Sequence, residues 1–190
     1  MSNFVPRPTK DRLIETARAL FLSKGFPQTG INKITAEADV ARMTLYNNFA
    51  SKDDLILAVF DREAELRRIA IQATQEDLEG PFERVLALFL VAEDVASQKG
   101  FRGCAFINLA IEAAAPDSVL HALAQQHKAW IRANIRAQLG EGVFSDPDIL
   151  ADQIALLWDG GIVGTYVHQS DKPIDLAREA ARTLMRSAAQ

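Results

Sequence analysis

Side chains suited to phosphate oxygens and to base edges are concentrated between positions 29 and 52 of this 190-residue chain. Hydroxyl, amide and arginine groups bond phosphates well, and arginine or asparagine can also read the edges of guanine or adenine. Lysine adds a positive charge that attracts the phosphate backbone. The residues in this stretch that we expect to contact DNA are Thr29, Lys33, Arg42, Met43, Thr44, Tyr46, Asn47 and Lys52.

Two short helices joined by a tight turn must position these side chains. Ile34 and Ala38 form the buried stripe of the first, and Val40, Leu45 and Phe49 anchor the turn and the second. In a helix-turn-helix, the second helix enters the major groove and its N-terminal residues face the bases. The alternative is an unrelated three-helix start to an all-α protein with merely solvated basic residues. The combination of residue types favours a DNA reader.

The charge distribution agrees with a DNA-binding head. Residues 1–50 contain seven Lys or Arg and four Asp or Glu, whereas residues 51–190 contain fourteen and twenty-one. The net charge of −4 therefore divides into a basic head and an acidic body. Arg7 and Lys10 predict a flexible basic arm at the start. This asymmetry is typical of one segment that meets a polyanion while the remainder has another task.

Helical periodicity dominates the rest of the chain, and no segment shows convincing strand alternation. The first helix is predicted over about 9–24, and start signals for later helices include Ser51, Gly80-Pro81 and Asp146-Pro147. A short helix is expected to end near Ala115, and Pro116-Asp117 is expected to break it and start the next. Roughly nine helices result, so the predicted fold is all-α. We expect a helix-turn-helix DNA-binding domain over 1–52 and a larger helical regulatory and dimerisation domain over 53–190.

Composition excludes several other classes of protein. With 48% apolar residues the chain is neither disordered nor fibrous. A single cysteine, Cys104, permits no intramolecular disulfide. The start of the chain lacks the apolar run of a signal peptide, and the longest apolar stretches are too short to span a bilayer. We expect a cytoplasmic protein without a membrane partner.

Residues 9–53 resemble the DNA-binding domain of TetR-type (tetracycline-repressor-like) transcriptional regulators. The positions that carry the resemblance are Thr29-Gly-Ile, Ile34, Ala38, Val40, Thr44-Leu-Tyr46, Phe49 and Ser51-Lys52. The resemblance implies DNA contacts, mostly to phosphate, from Thr29, Thr44, Tyr46, Asn47 and Lys52. It also implies a homodimer on a palindromic double-stranded DNA operator, with the last two helices forming a four-helix bundle with their copies.

Three positions depart from the family pattern. Asp39 stands where a turn glycine is usual, although aspartate tolerates left-handed backbone better than most residues. Ala41 stands where a serine cap is common, which costs the following helix about 1 kcal/mol. Met43 occupies a position that is often small, so we expect it to contact a thymine methyl or a sugar and to affect specificity.

Three closely spaced glycines mark the penultimate helix. A glycine inside a helix costs about 1 kcal/mol relative to alanine, so three together indicate the close approach of another helix or of a ligand. A kinked helix without a partner is the less favoured alternative. The residues that we expect at a dimer interface are Gly160, Gly161, Gly164 and Tyr166.

A ligand pocket is the second feature that the resemblance implies, and aromatic and aliphatic residues of the middle helices are candidates for its lining. These are Phe89, Phe106, Leu109, Trp130, Trp158 and Ile162, with Asn108, Glu112 and His127 as polar contacts. Each can equally be an ordinary core residue. Mostly apolar walls predict a small hydrophobic effector.

The leading hypothesis is a repressor that a small apolar effector releases from its operator. One alternative keeps the fold but places control on Cys104 oxidation or on a protein partner. Cys104 follows Arg102-Gly103 at a helix start, where a thiol pKa can fall, although a lone cysteine is more often a small buried hydrophobe. An all-helical enzyme is the distant alternative, because no catalytic, metal-binding or cofactor motif is found.

Overall fold

The computed structural model describes residues 8–113 and 115–190, and these residues form nine α-helices without a named strand. The helices are α1 (Thr9–Lys24), α2 (Ile31–Glu37), α3 (Arg42–Asn48), α4 (Lys52–Gln75), α5 (Pro81–Ser97), α6 (Ala105–Glu112), α7 (Val119–Leu139), α8 (Pro147–His168) and α9 (Lys172–Ala188). The predicted all-α fold is confirmed. Arg7 of the predicted basic arm lies outside the described residues, and Lys10 lies in the first turn of α1 rather than in a flexible arm.

Helices α1 to α3 form the head around a small apolar core. Leu13 and Ala17 of α1, Ile34 of α2 and Leu45 of α3 are fully buried there. Asp39 adopts the left-handed conformation (φ 51°) that the turn between α2 and α3 requires. The head is therefore held by apolar contacts, which leave the polar side chains of α3 on its outer face.

Helix α4 joins the head to the body. The Ser51 hydroxyl accepts a hydrogen bond from the backbone N–H of Asp54 (3.0 Å), which caps the helix as the sequence predicts. Over 24 residues α4 packs against α1 on one side and against α5 and α7 on the other. Helix α4 is therefore the element that connects the packing of the body with α1.

Two element boundaries in the body differ from the sequence prediction. Helix α6 ends at Glu112 rather than near position 115, and α7 begins at Val119 rather than at Pro116-Asp117. Ser118 supplies the reason, because its hydroxyl accepts the N–H of His121 (3.2 Å) and so sets the start of α7. Helices α8 and α9 pack closely against each other, with α5 and α7 behind them.

Candidate nucleic-acid interface and ligand cavity

Helix α3 presents one exposed polar face. Arg42, Met43, Tyr46 and Asn47 are exposed, and Met43 is 70% accessible, whereas Leu45 on the opposite face is buried. The Arg42 guanidinium carbon lies 5.6 Å from the centre of the Tyr46 ring, a cation–π contact that orients both groups. This face has the chemistry expected of a major-groove reader.

Two of the residues expected to contact phosphate use their polar atoms inside the protein. Thr29 is fully buried, and its hydroxyl donates to the carbonyl of Gly25 (2.8 Å). The Lys52 ammonium donates to the carbonyl of Phe26 (2.7 Å). Both contacts fix the turn between α1 and α2, and the burial of Thr29 argues against a phosphate contact from its side chain.

A pair of lysines lies at the junction of α1 and α2. The neighbouring ammonium of Lys24 at the end of α1 lowers the pKa of Lys33. A DNA phosphate beside the two lysines would relieve the repulsion between them, so the position of Lys33 suits a contact with the DNA backbone. Lys24 was not among the residues expected from the sequence.

A cavity of about 260 Å³ lies where the head meets the body. Five of the predicted pocket residues line it: Phe106, Asn108, Leu109, Trp158 and Ile162. Glu112 and His127, the expected polar contacts, line it as well. Phe89 and Trp130 are not among its lining residues; Phe89 packs edge-to-face on Trp158, and Trp130 lies under the Arg68 guanidinium.

The walls of the cavity carry charged groups that the sequence analysis missed. Glu63 of α4 is 1% exposed and pairs with Arg18 of α1 (2.6 Å) and with Arg67 one turn further along α4 (2.5 Å). Its position among Phe60 and other buried residues of α4 was a signal, because a carboxylate on an apolar stripe needs a cationic partner. The expectation of mostly apolar walls is therefore incomplete.

The peptide groups of Phe26 connect the body to the head. Glu112 of α6 accepts the Phe26 N–H (3.1 Å) and also an N–H of Arg102 (3.4 Å). The carbonyl of Phe26 accepts a hydrogen bond from the Lys52 ammonium. The turn that precedes α2 is thus held from the cavity wall on one side and from the start of α4 on the other.

Two further polar groups lie at the inner end of the cavity. The Cys104 sulfur accepts a hydrogen bond from the Lys128 ammonium (3.2 Å), which also pairs with Asp159. His127 stacks on Phe106 with 3.6 Å between ring centres, and its Nδ1 has no hydrogen-bond partner among the described residues. Burial, and then the charges of Lys128 and nearby arginines, lower the pKa of His127 to about 3.

The glycines of α8 divide between two roles. A methyl group at Gly161 would lie 3.0 Å from Cβ of Ala177, and one at Gly164 would lie 2.9 Å from Cβ of Pro173. These two glycines therefore admit α9 of the same chain. Gly160 faces open space. Tyr166 turns away from α9 and packs edge-to-face on Phe101.

Helices α8 and α9 share an exposed apolar surface. Leu156 and Val167 of α8 and Leu176 of α9 are each at least 60% exposed. Leu156, Gly160 and Leu176 border one shallow groove, which places them on the same side of the helix pair. Exposed apolar surface of this kind marks an interaction site. We call Leu156, Gly160, Val167 and Leu176 the α8–α9 surface.

The described residues contain neither a metal-binding cluster nor a helix that could span a membrane. No group of three or more His, Cys, Asp or Glu side chains among residues 8–113 and 115–190 is arranged to hold a metal ion. No helix in that part of the chain has the length and apolar character needed to cross a membrane.

Two family models match the chain and together span most of it. Residues 13–59 match the model described as bacterial regulatory proteins, tetR family. Residues 81–181 match the tetracyclin repressor-like C-terminal domain. The first match contains α2 and α3, and the second contains the greater part of the cavity wall and the α8–α9 surface.

Individual relatives agree with these matches. The chain is 26% identical to the HTH-type transcriptional repressor DhaR of Mycobacterium sp. (strain GP1), over 88% of this chain and 87% of the relative. It is 25% identical to the HTH-type transcriptional repressor SCO4008 of Streptomyces coelicolor, over 80% and 77%. The crystal structure of SCO4454, a TetR-family transcriptional regulator from Streptomyces coelicolor, superposes with a TM-score of 0.87 at 29% identity, over 96% of each chain.

Proposed function

We infer the function of this chain from its family: it belongs to the tetR family of bacterial regulatory proteins. Members of this family are transcriptional regulators and not enzymes. We propose that it is a homodimeric repressor, which leaves a palindromic operator when a small molecule occupies the cavity. The observation that carries this proposal is that a single cavity is lined by α1 of the head and by α4, α6 and α8 of the body.

DNA recognition is assigned to α3 and to the lysine pair. Arg42, Met43 and Asn47 are exposed on α3 and can reach base edges, whereas Tyr46 and Lys33 are suited to phosphate. Thr44 of α3 is half-buried, so it should contribute less to DNA binding than the exposed residues of this helix.

Dimerisation is assigned to the α8–α9 surface. Of the four residues expected at the interface from the sequence, the three glycines border the groove on this surface, and Leu156, Val167 and Leu176 extend it. A two-fold dimer of this kind would present two copies of α3 to half-sites one DNA turn apart.

Release would follow from a population shift. A ligand can move an equilibrium only by its differential affinity for the two states. Because the cavity is formed partly by α1, a ligand that favours one packing of α1 on α4 would change the spacing of the two heads. That spacing then no longer matches successive major grooves.

The decisive experiment uses the DNA upstream of the chain's own gene. We expect the purified protein to bind this DNA at low salt more tightly than shuffled DNA of equal length and composition. We expect Arg42→Ala to reduce this preference and Arg62→Ala, an exposed arginine on α4, to keep it in full. Equal binding of native and shuffled DNA would overturn the operator assignment.

A second candidate mode of control is chemical modification of Cys104. Its sulfur borders the cavity and accepts a hydrogen bond from the Lys128 ammonium. DNA affinity measured before and after treatment with hydrogen peroxide, in the native protein and in Cys104→Ser, separates the two modes. Loss confined to the native protein favours oxidation, and unchanged affinity removes this candidate.

A further inference from the structure

The charged part of the cavity wall has more donors than acceptors. Arg18, Arg67, Lys99 and Arg102 supply four cations, against two carboxylates. Glu63 already accepts from two arginines, and Glu112 accepts from Arg102 and from the Phe26 backbone. The unused hydrogen-bonding capacity of the wall is therefore mainly that of donors, which suits a ligand with acceptor atoms and negative charge.

Arg102 is the arginine of the wall that is held most loosely, because Arg18 and Arg67 pair with Glu63 at 2.6 and 2.5 Å. Its guanidinium carries five N–H groups, and the one side-chain hydrogen bond found for it among the described residues is the 3.4 Å contact to Glu112. This distance is at the long end for such a bond. A carboxylate that meets the guanidinium with two parallel bonds would form a stronger pair.

Another part of the cavity wall is apolar with one unsatisfied polar atom. Phe106, Trp158 and Ile162 supply hydrocarbon surface, and Nδ1 of the 3%-exposed His127 has no hydrogen-bond partner among the described residues. A buried polar atom without a partner is destabilising, and a ligand hydroxyl would supply the missing partner.

We propose that the cavity takes a small amphipathic carboxylate, such as an aromatic acid, whose carboxylate pairs with Arg102 and whose hydrocarbon part lies against Phe106, Trp158 and Ile162. Its volume of about 260 Å³ is just below the range for drug-sized ligands, so the ligand is of fragment size. This ligand class rests on the proposed function, and it replaces the purely hydrophobic effector expected from the sequence.

Pairing of the ligand carboxylate with Arg102 would couple ligand binding to the position of the head. A carboxylate on Arg102 competes with Glu112, and Glu112 holds the Phe26 N–H in the turn before α2. Occupation therefore changes the contact that ties α6 to the head. This contact joins residues 86 positions apart in sequence, so it reports directly on the packing of head against body.

The test compares matched probes on the full-length chain without DNA. Naphthalene-2-carboxylate, naphthalene-2-carboxamide and 2-naphthylmethylammonium share one ring system and differ in the charge of the polar group. We expect calorimetry to show the carboxylate binding at least about tenfold more tightly than the amide, as a charge-assisted pair allows. Equal affinities, or no carboxylate binding at millimolar concentration, would overturn the proposal.

Variants locate the preference on Arg102. Arg102→Gln should bring the carboxylate-to-amide ratio close to one without weakening the amide, and Arg102→Lys should retain part of the ratio. Arg136→Gln is the matched control, because this part-buried arginine pairs with Glu141 and Asp148 and does not line the cavity. A ratio that survives in Arg102→Gln contradicts the assignment.

Failure of the ligand class and failure of the proposed function are distinguishable. Operator binding is measured separately on the ligand-free protein. Specific DNA binding without a carboxylate preference overturns the ligand class alone. A carboxylate preference that depends on Arg102, in a protein that does not bind its upstream DNA, overturns the repressor assignment and supports the ligand class.

Discussion

Arg42 and Lys33 carry the same charge, but their surroundings assign them different tasks. Arg42 lies on the exposed face of α3 with its guanidinium over Tyr46, where two parallel N–H groups can meet one base. Lys33 lies beside Lys24, where a phosphate would relieve repulsion between two ammonium groups. One residue should read sequence and the other should supply affinity alone.

We expect Lys33→Ala to weaken binding to operator and to shuffled DNA by the same factor. Loss of one phosphate contact should also reduce the slope of log affinity against log salt by about 1. Arg42→Ala should instead cost about 1–3 kcal/mol on the operator and relax the preference at one base pair. Salt titrations by fluorescence anisotropy check both, with Lys172→Ala, an exposed lysine of α9, as the control.

His127 should make the folded state sensitive to acid. Its pKa is about 3 in the folded chain, chiefly because of burial, against an ordinary value of 6.5. Between these values the unfolded chain binds a proton that the folded chain does not, so the free energy of unfolding falls as pH decreases from 6.5. The loss at pH 5 relative to pH 7 should be about 2 kcal/mol.

Denaturant unfolding at pH 7 and pH 5 measures this contribution. His127→Gln should remove about that much of the pH dependence, whereas His168→Gln, on the exposed end of α8, should leave it unchanged. An identical pH dependence in the native chain and in His127→Gln would show that the imidazole titrates normally.

At the scale of elements, the close packing of α8 on α9 depends on glycine at two positions. Gly161→Val would push its side chain into Ala177 and the backbone at Ile174. We expect a loss of about 1–3 kcal/mol, as in other overpacked cores. Gln125→Val, which adds the same side chain at an exposed position of α7, is the control and should change stability by less than about 0.5 kcal/mol. Thermal unfolding distinguishes the two, and equal effects would contradict this assignment.

Lys52 links the start of α4 to the turn before α2. Because its ammonium donates to the Phe26 carbonyl, Lys52→Met should lower the free energy of unfolding by about 1 kcal/mol. The salt dependence of DNA binding should be unchanged if this is its sole role. A fall of about 1 in the salt slope would assign Lys52 to a phosphate, as the family resemblance implies.

At the scale of the whole molecule, the α8–α9 surface decides whether two heads can act together. Leu156 is 72% exposed on it, and a charge there would oppose burial against a second copy. We expect Leu156→Glu to sediment as a monomer and to lose most of its affinity for a palindrome. Ile111→Glu, at a position of α6 that is 75% exposed, should remain dimeric. If the native protein itself sediments as a monomer, the proposal of a homodimer is wrong.

Local sequence predicts the helices well where short-range chemistry sets them. Asp146 caps α8 through the N–H of Ile149 (3.0 Å), and Ser51 caps α4, because both bonds lie within three residues. The boundary between α6 and α7 was displaced, because several residues there can begin a helix and Ser118 is the one that does. Thr29 matched the family pattern, yet burial gives its hydroxyl a backbone partner.

The sequence by itself determined the all-α fold, the exposed row on α3 and the division into a basic head and an acidic body. These follow from periodicity, capping and charge, all of which are local or additive along the chain. Only the tertiary structure decided that Glu63 binds Arg18, that Glu112 holds Phe26 and that Gly161 serves α9. Such contacts join residues far apart in the chain, and no local pattern specifies which distant partner satisfies a buried charge or a missing side chain.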